Sequence, residues 1–344
     1  KKGRLVFAAV AAALAAAGIY AFPGQCAQGA KRGLSFCGNI LIPSIFPFLV
    51  LSVFVVKSGV SKRFPGSSTC DKKLFRLPGS AGATVLIGLT GGYPSGARGI
   101  KALLDSGEIT QKQARRMLCF TVGAGPAFVI SVTGSGLLGS VQTGIILFIS
   151  QLSAALVLGI LVWAFRKGRG GSCRSARRSI LRLHACFLRS GGSRVGWRFQ
   201  HDQHVLLCHP VSALLVILDQ SGISSFLKEV FSSFGLPDRI ASSLVPVLLE
   251  VTTGSTAAAS AGAGAPFLSF ALGWAGLCVD FQIFSMLRSV SFSKQSFFFS
   301  VLFTDLLSAL FTVIGLHFFP ITETVFFSTG QSLSGGLALR ADGG

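Results

Sequence analysis

The chain has 344 residues, half of them hydrophobic and only 12% charged, with 42 glycines and 31 phenylalanines. Several apolar runs reach or approach the ~20 residues that span a bilayer and lack the polar face of a soluble helix, which argues against a soluble globular protein. The formal charge of +19 does not point to nucleic acid, because ten of the 31 basic residues fall between Arg166 and Arg198 with no acid among them; the others read as loops on the cytoplasmic side of a membrane.

In chain order, Lys1, Lys2 and Arg4 precede the apolar run Leu5–Phe22. This run reads as a first membrane helix rather than a cleaved signal peptide, with the N-terminus cytoplasmic. Ile40–Val56 is the second span, with Pro43 and Pro47 in its first turns, where a missing N–H matters least. The basic loop Lys57–Arg76 follows.

The segment Ile87–Ala97, I-G-L-T-G-G-Y-P-S-G-A, carries four glycines and a proline amid apolar residues. Such a stretch predicts broken backbone, tolerated in a membrane only where protein or a polar cavity satisfies its peptide groups. Arg98–Arg116 then has a polar helical pattern, and Thr110 is placed as an N-cap. With both flanks cytoplasmic, Ala81–Ala97 would enter the membrane and return. Cys119–Leu138 is apolar but interrupted by Gly123, Gly125, Pro126, Gly134 and Gly136, and Ile145–Phe165 is a clean span.

Arg166–Pro210 departs from the rest, with ten Arg/Lys, three Cys, four His and one acid. It has too few apolar residues for a core. Two readings stand: a basic loop touching anionic lipid, or a segment translated out of frame. Codons chosen for Phe199–Val211 and read one base later give S-S-M-I-S-M-C-S-F-V-I-L-F, a membrane-helix start that runs into Ser212–Leu215.

The second half reads as a repeat of the first, the alternative being chance similarity between Gly/Ala-rich apolar segments. At a shift of 162, Val85-Leu86 falls on Val247-Leu248, Thr90 on Thr252, Gly92 on Gly254 and Ala97 on Ala259. Val245–Ala263 is thus a second interrupted segment, followed by the spans Phe267–Leu287 and Phe297–Phe319. Counting crossings back from Arg288 and Lys294 makes the halves inverted copies, as in many secondary transporters. The expected architecture is an all-α polytopic membrane protein of two related halves with interrupted or re-entrant helices. Residues 1–39 form the N-terminal helix and loop, 40–165 the first half, 166–209 the basic Cys/His-rich linker, 210–320 the second half and 321–344 a tail.

Ser44–Leu51 (S-I-F-P-F-L-V-L), Gly88–Ala97 with Arg98 and Lys101, Gly107–Thr110 (G-E-I-T), Leu249–Gly254 (L-E-V-T-T-G) and Gly273–Leu287 resemble the sporulation integral membrane protein family of the YlbJ type. The resemblance covers about residues 40–165 and 210–318. It implies a membrane protein of endospore formers needed for spore cortex formation, carrying a so-called nucleoside-recognition, or Gate, domain. That label does not name a ligand.

Among single residues, Glu250 stands out, since a carboxylate in an apolar segment is expensive unless paired, protonated or facing a polar cavity. Its alternative reading is a structural partner to Arg98 or to the broken backbone. Thr90, Gly91, Gly92, Tyr93, Ser95, Thr252, Thr253, Gly254 and Ser255 would line a polar site with it, where N–H groups at broken helix ends meet a polar or anionic solute. Interhelical hydrogen bonding and small-residue packing explain each of these singly. Thr121, Asp280 and Gln282 form a second tier.

Neither a catalytic triad, a nucleotide loop nor metal-ligand cysteine spacing is recognisable, so the expectation is no enzyme, no cofactor and no metal. Cys119 and Cys278 read as packing residues. The expected partners are the lipid bilayer and a small polar solute, with no nucleic acid. The rival readings are a scaffold for spore-envelope assembly and a membrane enzyme using Glu250 with Asp280.

Overall fold

The computed structural model describes residues 16–36, 79–105, 107–164, 213–287 and 292–321, with isolated positions beside them. The expected span Ile40–Val56, the loop Lys57–Arg76, the midsection Arg166–Pro210, the tail and most of Leu5–Phe22 lie outside the described residues. Among the described residues every regular element is helical.

After α1 (Pro23–Phe36), the first half contains α2 (Gly79–Gly91), α3 (Tyr93–Asp105), α4 (Gln111–Leu118), a π-helix (Ala127–Leu137) and α5 (Val141–Ala164). The second contains α6 (Ile223–Ser233), α7 (Asp238–Leu249), α8 (Val251–Ser260), α9 (Ala265–Trp274), α10 (Leu277–Met286) and α11 (Lys294–Phe318). In each half the same sequence of forms recurs: two short helices joined at a one-residue break, an interrupted helix, then one long apolar helix.

The short pairs are antiparallel hairpins. Built Cβ atoms at Gly88 and Gly96 would meet the other residue's Cα at 3.0 and 3.3 Å, and one at Gly99 would strike the Thr84 side chain at 2.5 Å. The positions in each pair add to nearly the same number, as an antiparallel pairing requires. In α7–α8 the corresponding contact is Gly254 on the Val247 backbone, where a Cβ would lie 2.5 Å from the Val247 Cα. Each arm of α2–α3 has 13 residues, about 20 Å at 1.5 Å per residue, too short for a ~30 Å hydrocarbon core.

The first break is narrower than the sequence suggests. Of Ile87–Ala97 only Gly92, at φ +81°, leaves the helix; Gly88, Gly91 and Gly96 are helical and serve close packing. Arg98–Arg116 is likewise not one polar segment. Its first part belongs to α3, with Ile100 and Leu103 buried, because that arm faces the core on one side. Thr110 caps α4 as expected: its Oγ1 accepts from the Gln113 N–H, and the Gln113 side chain returns a bond to the Thr110 N–H at 2.8 Å.

The expected continuous span Phe267–Leu287 is broken at Ala275–Gly276, both at positive φ (62° and 85°). The reason is a backbone-to-backbone approach: a Cβ on Gly276 would lie 2.8 Å from both N and Cα of Glu250. The first half has the same contact. Gly125, in the non-helical stretch between α4 and the π-helix, packs on Gly92, where a Cβ on Gly125 would lie 3.2 Å from the Gly92 N. In both halves, then, the hairpin tip rests on the break of the interrupted helix that follows.

Helices α5 and α11 and the composite α9–α10 are long and apolar enough to cross a membrane. Their polarity is inside out. On α11, Phe299, Phe303, Leu306, Leu310 and Val313 are exposed at spacings of three and four, while Asp305, Ser308 and Thr312 are buried on the opposite face. On α5, Ile145, Ile149, Leu156 and Ile160 are exposed, and Thr143, Leu147, Ser150 and Ala154 are buried. Apolar side chains facing outward with hydroxyls and an acid inside suit lipid, not water, as the surrounding solvent. The protein is an all-helical integral membrane protein.

Candidate functional site

Glu250 is the single residue between α7 and α8, with extended backbone (φ −153°, ψ 130°) and 2% exposure. Its carboxylate accepts from the backbone N–H of Thr252 at 2.9 Å and of Thr253 at 2.6 Å, and from the Thr252 hydroxyl. Within a membrane such N–H groups at a helix start would otherwise be unsatisfied, so Glu250 acts first as an N-cap. This is the structural role that the sequence offered as the alternative. It also corrects the expectation that the N–H groups at this break stand open to a solute: those of Thr252 and Thr253 are taken up by Glu250.

Several other predicted residues are similarly occupied. Ser95 Oγ donates to the Gly91 carbonyl at 2.9 Å, one turn back along the hairpin tip. Gly254 is a packing glycine against Val247, and Thr90 is exposed at the first tip. Gly91 and Gly92 form that tip, with Gly92 against Gly125. The Thr121 carbonyl lies where side chains at Gly88 and Gly96 would collide with it, both at 2.4 Å from the built Cβ atoms. Thr121 thereby fixes the first hairpin against the following break.

Tyr93, first residue of α3, is buried, and its hydroxyl donates to the Leu272 carbonyl in α9. This ties the first hairpin tip to the interrupted helix of the second half. Three contacts fall on one short stretch, Tyr93 at Leu272, Asp305 at Gly273 and Glu250 at Gly276, with Asp280 in the first turn of α10 that follows. Asp280 is buried near the start of α10, and Gln282, also buried, makes only a weak 3.6 Å contact to the Cys278 sulfur.

The polar atoms with no hydrogen-bond partner among the described residues include Ser255 Oγ, Thr121 Oγ1, Asp280 Oδ2, Gln282 Oε1 and Asp305 Oδ2. Four of these five residues were candidates from sequence. Asp305 was missed, although the signal was present: an acid in the run Phe297–Phe319 satisfies the same argument that selected Glu250.

A search of curated proteins finds the chain 24% identical over 322 residues to the sporulation integral membrane protein YlbJ of Bacillus subtilis (strain 168), covering 86% of this chain and 79% of that protein. The chain is thus similar, over most of its length, to a sporulation integral membrane protein of the YlbJ type. That relative's membrane location agrees with the apolar helices and inside-out polarity of this fold. No family model and no solved structure matches.

Proposed function

We propose that this protein is transporter-like and moves a small polar solute across a membrane during formation of the spore envelope. The observation that carries this reading is that both hairpin tips pack on the interrupted helix α9–α10, Tyr93 at Leu272 and Glu250 at Gly276, beside the buried Asp280 and Asp305. Buried ionisable residues and unwound backbone at a repeat interface are the hallmarks of a secondary-transporter site. The unpartnered Ser255, Thr121, Asp280 and Gln282 atoms supply polar contacts for a solute once the hairpins shift. Under this reading the halves are inverted copies, the N-terminus is cytoplasmic, and the hairpins gate access from opposite faces.

The test is a spore-forming strain lacking its own copy, complemented with wild type or with Tyr93→Phe, Ser255→Ala or Glu250→Gln. Insertion is verified by membrane fractionation, and the small-molecule contents of developing spores are compared. A transporter predicts that inserted variants lose spore maturation together with depletion of a defined polar solute. A scaffold predicts normal maturation and unchanged contents for every variant that inserts.

A further inference from the structure

Asp305 is the twelfth of the 25 residues of α11, which places it at mid-length of a membrane-crossing helix. It is 2% exposed, and its Oδ2 has no partner among the described residues. Its Oδ1 sits so close to Gly273 that a Cβ there would be 2.1 Å away, so glycine is what leaves room for the carboxylate. The side chain lines a cavity of about 50 Å³ formed by both halves. From the first half come the unwound Val122–Ala124 and Gln151, and from the second Gly273, Thr304, Asp305 and Ser308.

Three features of this cavity define its ligand. Among the described residues that line it, Asp305 is the only charged one, with no Lys, Arg or His. Glu250, packed on Gly276 three residues from Gly273, has its carboxylate committed to its cap. Thr304 and Ser308 bring hydroxyl oxygens of the kind a hard cation prefers, beside the Cys119 thiol and the Gln151 amide, whose Nε2 has no partner among the described residues. Thr304 Oγ1 spends its proton on the Ser300 carbonyl at 2.8 Å, and Ser308 Oγ is paired with Ser269 Oγ at 2.7 Å, so both hydroxyl oxygens retain lone pairs.

We propose that this cavity is a binding site for one small monovalent cation of sodium size, held by the Asp305 carboxylate, the Thr304 and Ser308 hydroxyls and the unwound backbone carbonyls of Val122–Ala124. An ionised Asp305 alone would leave an uncompensated charge at mid-membrane. A protonated one would need an acceptor within hydrogen-bond reach, and Oδ2 has no partner among the described residues. One positive charge removes both problems, and unwound carbonyls in broken membrane helices are suited to coordinate it. The volume admits an ion with a water or two. The site joins residues of both halves at the hairpin-and-break junction, so its occupancy bears on how the halves pack. The proposal is independent of transport, because ion binding is measurable whether or not a solute moves.

The experiment uses the full chain in lipid nanodiscs, with NaCl replaced stepwise by choline chloride at constant ionic strength. Thermal stability and equilibrium binding of radioactive Na⁺ are both read. The expected result is saturable Na⁺ binding and a rise in Tm of roughly 5–10 °C at saturating Na⁺. Asp305→Asn should abolish both, and the milder Thr304→Val should raise the half-saturating concentration roughly tenfold, as expected for one lost ligand contact. Absence of saturable Na⁺ binding to wild type overturns the proposal, as does undiminished binding by Asp305→Asn. Stability that follows pH between 5 and 8 while ignoring Na⁺ assigns a proton to Asp305 and also overturns it. Should Asp305→Asn fail to fold, wild-type binding and the Thr304→Val shift still decide the question.

Discussion

Gly276→Ala isolates the contact on which the second half is built. The methyl group would lie 2.8 Å from the Glu250 N and Cα and 2.9 Å from the Leu249 carbonyl carbon. All three are backbone atoms, so no side-chain rotation relieves the overlap. Ordinary carbon–carbon contact is about 3.5–4.0 Å, so the α7–α8 and α9–α10 breaks must separate by roughly an ångström. Overpacking of this kind costs about 1–3 kcal/mol, and holding alanine at φ +85° adds about 1–2 kcal/mol. The sum, about 2–5 kcal/mol, corresponds to a Tm fall of roughly 5–15 °C in a domain of a few hundred residues. Gly107→Ala provides the control: Gly107 also has positive φ, at +70°, but a Cβ there meets nothing within 4 Å. It should lose only the conformational part, a fall of roughly 2–5 °C. Both variants are compared with wild type by fluorescence-detected thermal unfolding in the same detergent. Equal losses for the two would refute the close approach of Gly276 to Glu250.

Four further outcomes follow from the same contacts. Glu250→Gln replaces a carboxylate facing two N–H donors by an amide with one acceptor oxygen, and should lower stability by about 1–2 kcal/mol in thermal unfolding. Gly273→Ala should destabilise less than Gly276→Ala in the same assay, since only the Asp305 side chain has to turn away, but that displacement should weaken Na⁺ binding. Tyr93→Phe leaves the Leu272 carbonyl without its donor and should cost about 1–3 kcal/mol, read as a drop in Tm. Thr110→Ala, at the exposed start of α4, should lose only about 1 kcal/mol and leave spore maturation intact.

Much of this organisation was legible in the sequence because small residues and charges are scarce signals in an apolar chain. The two interrupted segments, the long spans α5 and α11, the Thr110 cap and the prominence of Glu250 all follow from local composition. The register of the repeat did not. The 162-residue shift set Gly92 on Gly254, whereas the two hairpin tips are Gly92 and Glu250, a shift of 158. The difference is about one helical turn. Glycines recur at that spacing on hairpin arms: Gly96 and Gly254 each follow their tip by four residues and face the opposing arm. The break at Ala275–Gly276 was hidden because nothing in G-W-A-G announces a positive φ; a backbone residue remote in sequence, Glu250, imposes it. Asp305 was overlooked because a long span reads as finished once its length is right. The pairing of Tyr93 with Leu272 lies beyond sequence reasoning, since it joins residues 179 positions apart through packing alone.

The central claim is that two hairpins enter the membrane and return, from opposite faces. It is tested most directly by placing single cysteines, in a chain otherwise lacking them, at Ser80, Asp105, Asp238 and Ser260, the outer ends of α2, α3, α7 and α8. Each is labelled in sealed vesicles with a membrane-impermeant thiol reagent applied from either side. The account predicts that positions 80 and 105 label from one face and positions 238 and 260 from the other. Labelling of either hairpin's two ends from opposite faces would contradict re-entry, and labelling of all four from the same face would contradict the inversion.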